Sequence, residues 1–262
     1  MQKENPLSKD ISLDRRAKIL EILESEGQVS VIKLSKKFNV STVTIRNDLD
    51  QLEQKNLLVR TRGGALKVHR VGIDFHLYEK QKKMLNEKRL IGKKASELIN
   101  EGDTIIIDSG STTLEVAKNL KHFNNLTVLS NALNIAAELA GLENIMFIML
   151  GGHLRNKSLS FVGPISEQIL KNHYCDKVFL GVDGIDSTYG ISTPNTEEAY
   201  LNKIMIENSK EIIVVADSSK FLKRCFSYIA PIERISTIVT DNKIPEEEYK
   251  RLKNNGIQVI IA

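Results

Sequence analysis

Apolar positions in the first quarter of the chain recur at helical spacing and are broken by single punctuating residues. In 14–26, Ala17, Ile19, Leu20, Ile22 and Leu23 form one apolar face, and Gly27 stops the run. Ser30 is placed to cap a short helix over 31–38 through its hydroxyl, and Asn39 ends that helix because asparagine tolerates left-handed backbone. Val40 can plug the space between two crossing helices. Ser41 starts a second helix, in which Ile45, Leu49 and Leu52 mark one buried stripe. Beyond Lys55-Asn56, Leu57 to Arg60 has strand character, and Thr61-Arg62-Gly63-Gly64 reads as a hairpin tip between arginines. The order predicts a winged helix-turn-helix unit over 12–70, after a polar leader over 1–11 expected to lack structure.

The pattern then changes twice. Residues 71–101 are strongly charged, yet Leu90, Ile91, Ala95, Leu98 and Ile99 still trace a helix face, which predicts a solvated linker helix. From 102 to 262, short aliphatic runs at 104–107, 126–129, 145–150, 178–181, 212–216, 237–239 and 258–261 alternate with helical stretches near 112–120, 133–140, 165–172, 197–208 and 246–254. Near-continuous apolar strands are buried on both faces, so this part reads as an α/β domain with a largely parallel sheet.

Charge sharpens the first unit. Residues 1–70 hold 14 Lys and Arg against 9 Asp and Glu, a net of +5, while the other 192 residues hold 23 against 24. A basic excess confined to a helix-turn-helix segment is the electrostatic footprint that double-stranded DNA requires. Ser41, Thr42, Thr44, Arg46 and Asn47 lie at the start of the second helix, where base edges are read, with Arg suited to guanine and Asn to adenine. Arg60 and Arg62 would lie along phosphates. A solvated basic face without a partner is the competing account.

In parallel sheets, ligands collect at the carboxyl ends of strands. Asp108-Ser109-Gly110-Ser111-Thr112-Thr113 follows the first run and opens a helix, which offers backbone N–H donors and room for an anion such as phosphate. A capped strand-to-helix turn with no ligand accounts for the same residues. Gly152 and Arg155 follow the third run, Asp183 and Asp186 bracket a glycine after the fourth, and Lys220 closes Asp217-Ser218-Ser219-Lys220 after the fifth. The five histidines are scattered, and Cys175 and Cys225 lack CxxC spacing, so neither a metal site nor a cofactor is expected. No apolar run approaches a membrane span, and the first residues lack the apolar stretch of a secretory signal, so a cytoplasmic protein with reduced thiols is expected.

Arg15-Arg16-Ala17-Lys18-Ile19-Leu20, Thr44-Ile45-Arg46-Asn47-Asp48-Leu49 and Arg60-Thr61-Arg62-Gly63-Gly64-Ala65 resemble, in order and spacing, the amino-terminal domain of the DeoR family of bacterial transcription regulators. Asn47 stands where that family commonly has a second arginine before the aspartate. The resemblance continues through Asp108–Thr113, Ser130-Asn131, Gly151-Gly152, Val162-Gly163-Pro164 and Asp217–Phe221 into the effector-sensing domain. It implies a fold similar to ribose-5-phosphate isomerase, glucosamine-6-phosphate deaminase and the CoA transferases, and a phosphorylated sugar as effector. Gly181–Asp186 with Thr193–Ala199 most resembles regulators of N-acetylgalactosamine and amino-sugar use. The expected partners are an operator duplex, the sugar phosphate and further copies of the chain, as a dimer or tetramer. A sugar-phosphate isomerase or deaminase carrying an accessory DNA-binding unit is the alternative, with Asp183, Asp186 and Lys220 in places that resemble acid–base positions of the isomerases.

Overall fold

The computed structural model describes residues 6–54, 57–61, 63–67, 72 and 74–262. The chain divides into two compact units, Met1–Arg70 and Val71–Ala262. Among the described residues, no helix is long and apolar enough to cross a membrane.

The first unit contains α1 (Pro6–Glu26), β1 (Gln28–Ser30), α2 (Val31–Phe38), α3 (Thr42–Gln54), β2 (Leu58–Thr61) and β3 (Gly64–Lys67). Its antiparallel sheet has the order β1-β3-β2. Ile19, Leu23, Leu34, Ile45, Leu49, Leu52 and Leu58 fill the core, each contributing roughly 1.5–3 kcal/mol through removal from water. Two expectations are corrected. The leader expected to lack structure is helical from Pro6, because a proline fits the first turn, where its missing N–H has no intrahelical acceptor to lose; residues 1–5 lie outside the described ones. Ser30 does stand at the start of α2, but its side chain makes no capping bond. It is drawn into β1 opposite Gly64, and the Val31 N–H donates to the Gly63 carbonyl at 2.9 Å instead. Asn39 adopts the left-handed conformation, φ 51°, and closes α2.

The second unit runs α4 (Leu77–Lys82), α5 (Leu85–Ser96), β4 (Thr104–Ile107), α6 (Ser111–Ala117), β5 (Leu126–Ser130), α7 (Leu133–Leu139), β6 (Ile145–Met149), β7 (His153–Arg155), β8 (Ser160–Val162), α8 (Pro164–Lys171), β9 (Cys175–Leu180), β10 (Gly184–Asp186), β11 (Gly190–Thr193), α9 (Thr196–Glu207), β12 (Ser209–Val215), β13 (Ser227–Ala230), β14 (Thr237–Thr240), α10 (Glu246–Asn254) and β15 (Gln258–Ile261). Seven strands form one parallel sheet in the order β15-β14-β12-β9-β4-β5-β6. Successive strand residues feed opposite faces. Ile106, Val178 and Val214 pack with Leu170, Ile204 and Leu252 of α8, α9 and α10. Ile105, Phe179 and Ile213 pack with Ile91, Leu114 and Ile135 of α5, α6 and α7.

The stretch expected to be a solvated linker helix is instead two helices, and α5 is a layer of this unit. Ile91 and Ala95 are fully buried, and Gly92 lets α5 approach α6 so closely that a Cβ there would lie 2.4 Å from the Glu115 backbone. Charged residues on its outer face conceal this in the sequence. A small antiparallel sheet β10-β11-β13 and a β7-β8 pair decorate the parallel core.

The strand order contains one reversal. The chain steps outward from β4 to β5 and β6, then returns to the other side of β4 with β9 and continues through β12, β14 and β15. The connections that leave the carboxyl ends of β4 and β9 therefore run to opposite sides, leaving a crevice of the kind where open α/β sheets bind ligands.

Candidate functional site

In the first unit, the exposed amino-terminal face of α3 is built from its cap. The Thr44 N–H donates to Ser41 Oγ at 3.0 Å, and the two hydroxyls lie 2.9 Å apart. Arg46 and Asn47 are exposed and Thr42 and Thr44 half-buried, while Ile45 and Leu49 turn inward. Val43, 60% exposed, belongs to the same face; as an apolar residue able to meet a thymine methyl, it is an addition that its position between two threonines could have revealed. Asp48 is held by Arg15, with Nε to Oδ2 at 2.5 Å and Nη2 to Oδ1 at 3.1 Å, which fastens α3 to α1. Arg60 is engaged inside the unit: its Nε lies 2.7 Å from Asp50, Nη1 donates to the Gly64 carbonyl, and its N–H donates to Glu53 at 2.9 Å. It thus joins the wing to α3. Arg62 lies outside the described residues.

In the second unit, an open cleft sits at the carboxyl ends of β4, β9 and β12. Ser109, Gly110, Ser111 and Thr112 form one wall, Asp183 and Lys220 another. The Ser109 N–H is taken by Asn131 Oδ1 at 3.0 Å, and no side chain caps α6. The following N–H groups of its first turn consequently have no acceptor within the helix. Thr113 is fully buried beneath this loop and does not line the cleft.

Gly152 and Arg155 also lie off the lining. Gly152, at φ +109°, is a packing glycine: a Cβ would sit 2.4 Å from the Val162 carbonyl oxygen. Arg155 is a buttress, paired with Asp74 at 2.6 Å and with Glu198, which does reach the cleft. Asp186 points to Arg224, at 2.7 Å, and caps the Thr188 and Tyr189 amides.

Sequence reasoning missed Phe75, Leu77, Lys80, Glu198 and Asn202, all in the lining, and took Asp108, also there, only as the start of its loop. Lys80 was obscured by the charged run around it. Asp183 accepts from both lysines, from Lys220 at Oδ1 and Lys80 at Oδ2, each at 2.8 Å. Burial pushes the Asp183 carboxyl up, but Lys220 and then Lys80 outweigh it and hold the group well below the usual carboxylate range. Burial likewise pulls Lys220 down, and Asp183 and Asp217 more than restore it. Asp108 behaves oppositely: burial first, and the Glu198 carboxylate second, push it up to about 8, against the Ser109 and Gly181 amides and Asn202. It is mostly protonated near neutrality and can donate a hydrogen bond.

Beneath the cleft, Lys88 is almost wholly buried. Its Nζ donates to the carbonyls of Lys80, at 2.7 Å, and Lys83, and lies 3.4 Å from Asp217. Burial lowers its affinity for the proton, and Asp217 opposes the change. Among the described residues, no group of three or more His, Cys, Asp or Glu could hold a metal ion.

Comparison with known proteins gives these two units a common context. Residues 15–71 match the DeoR-like helix-turn-helix domain, and residues 83–242 match the DeoR C-terminal sensor domain. The chain is 41% identical, over 95% of its length and 93% of the relative's, to a protein of Escherichia coli O157:H7 assigned as an aga operon transcriptional repressor. It is 32% identical to the glycerol-3-phosphate regulon repressor of E. coli K12, over 92% of this chain and 95% of that one. Among solved structures, ribose 5-phosphate isomerase A of Methanocaldococcus jannaschii is similar over 52% of this chain and 54% of that one, with 19% identity and a TM-score of 0.38. With both domain matches in place and relatives of nearly full length that are regulators rather than enzymes, this chain belongs to the DeoR family and is a DNA-binding transcriptional regulator.

Proposed function

We propose that this regulator represses a sugar or amino-sugar catabolic operon, and that a phosphorylated sugar bound in the sensor cleft sets its affinity for the operator. The observation that carries the reading is the cleft's position at the strand reversal between β4 and β9, with the residues that open α6 on one wall and Lys220 on the other. Ser109, Gly110, Ser111 and Thr112 would receive the phosphate, and Asp108, Asn202 and Glu198 the hydroxyls of the sugar. Burial of Asp108, Ser111, Thr112 and Asn202 makes their polar contacts strongly selective, since an unmatched group in such a site bears its full desolvation cost. The names of the relatives, one a repressor of an aga operon and another of a glycerol-3-phosphate regulon, agree with a phosphorylated or sugar-derived signal.

On the DNA side, Thr42, Val43, Arg46 and Asn47 would meet base edges, with Ser41 and Thr44 setting the helix start. Two or four copies would space the recognition helices for repeated half-sites, in the cytoplasm where the operator lies. The effector acts through its different affinities for two arrangements of the protein, a coupling typically about 1–3 kcal/mol.

The test is a thermal-shift screen of the full chain against phosphorylated hexoses, their amino and N-acetylamino forms, and glycerol 3-phosphate. It is followed by gel-shift titration on a duplex that the protein itself selects from a random pool. A compound that raises the melting temperature and changes duplex affinity is expected. Stabilisation by none of them, with duplex affinity indifferent to all, would overturn the reading.

A further inference from the structure

The segment entering the sensor unit forms part of the cleft wall. The boundary between the two units falls between Arg70 and Val71, and the first described residues beyond it are soon anchored around the cleft. Asp74 pairs with Arg155 at 2.6 Å. The Leu77 N–H donates to the Lys157 carbonyl at 2.7 Å, and the Phe75, Leu77 and Lys80 side chains line the cleft. Lys80 is the cation of this segment in the lining: its Nζ shares Asp183 with Lys220, one carboxylate oxygen each. Its own carbonyl is gripped from below by Lys88, which also meets Asp217 of the loop carrying Lys220.

We infer that Lys80 is a direct ligand of the effector's anionic group and the residue through which occupancy of the cleft is felt by α4. This rests on reading the cleft as the effector site. An ammonium has three N–H donors, and Asp183 takes one from each lysine, leaving donors on both for a second anion. Two lysines around one carboxylate carry a net charge of +1, so the group still attracts an anion after its internal pairing. The two cations differ in what they are attached to. Lys220 closes a single 3-10 turn, Ser218–Lys220, that follows β12 of the parallel sheet. Lys80 belongs to α4, which opens shortly after the connection to the DNA-binding unit. An anion that draws on both lysines fastens α4 to the strand ends more firmly than Asp183 alone. That gives the effector the differential affinity that any conformational response requires. Lys220 supplies affinity, and Lys80 supplies affinity and coupling.

The experiment uses the full chain, with glucosamine 6-phosphate, N-acetylgalactosamine 6-phosphate, fructose 6-phosphate, glycerol 3-phosphate and inorganic phosphate as probes. The unmutated protein, Lys80→Met and Lys220→Met are each followed by probe titration and by duplex affinity with and without saturating probe. Both variants should bind the active sugar phosphate about tenfold or more weakly. Lys220→Met should regain the unmutated change in duplex affinity once saturated, whereas Lys80→Met should show a ratio near one even when saturated, with Lys80→Arg restoring part of the response. Hydrogen exchange of the unmutated protein supplies a readout independent of any variant's folding: amides of 77–82 should exchange more slowly with probe bound. Unmutated protein that ignores every probe would overturn the effector site itself and this inference with it. Unmutated protein that responds, while Lys80→Met responds equally at saturation or the 77–82 amides are unaffected, would overturn the role of Lys80 alone.

Discussion

Two side chains carry most of the chemistry that a single substitution can expose. Asp108 keeps its proton to about pH 8, against an ordinary value of 3.8, because it is buried and faces Glu198. Below the ordinary value, folded and unfolded chains are both protonated there. As pH rises from about 4 to about 8, the folded chain retains a proton that the unfolded chain releases, so this group lowers stability, at a limiting slope of about 1.4 kcal/mol per pH unit. Asp108→Asn removes that contribution. The stability of the variant relative to the unmutated protein should therefore increase through this window, as measured by denaturant titration at several pH values, and parallel profiles would show the group to be ordinary. Arg46, exposed near the amino terminus of α3, is the second. Arg46→Ala should cost on the order of 1–3 kcal/mol on a selected duplex and relax preference at one base position, read by competition with a substituted duplex set. A uniform loss across all sequences would reassign it to phosphate.

At the scale of elements, the wing depends on an absent side chain. A Cβ on Gly64 would lie 1.8 Å from the Val29 carbonyl oxygen, so Gly64→Ala forces β3 away from β1. A loss of about 3 kcal/mol from the DNA-binding unit is expected, seen as a lower-temperature transition in calorimetry, and an unchanged melting profile would contradict this packing. The sequence signals glycine here, but for a different reason: the dipeptide reads as a hairpin tip, whereas the steric demand comes from a third strand distant in sequence. The same limit explains other differences. Parallel strands such as Thr104–Ile107 and Ser209–Val215 are legible because burial on both faces leaves an uninterrupted apolar run, at 105–107 and at 212–215. His153–Arg155, Ser160–Val162 and Gly184–Asp186 are only three residues long, too short for alternation to register. The loop of Ser109 to Thr112 was legible from its small polar residues following a strand. Lys80 and Glu198 were not, since each sits on a charged helical segment and only tertiary packing turns it toward the cleft.

For the molecule as a whole, charge and chemistry are divided between the units: the basic excess lies in residues 1–70, and the described cleft in Val71–Ala262. A substitution that fills the cleft should leave duplex recognition intact while abolishing control. Thr112→Glu, at a lining position only 6% exposed, places a carboxylate where the anion would sit. The variant should bind the selected duplex with unmutated affinity at every concentration of sugar phosphate, and a preserved response would put the effector elsewhere. Lys88 gives the sensor unit a further property. One sequestered nitrogen ties carbonyls at positions 80 and 83 to a carboxylate at position 217, so acylating reagents that modify surface amines must wait for the sheet unit to open before reaching it. Its modification rate is a built-in clock for that opening.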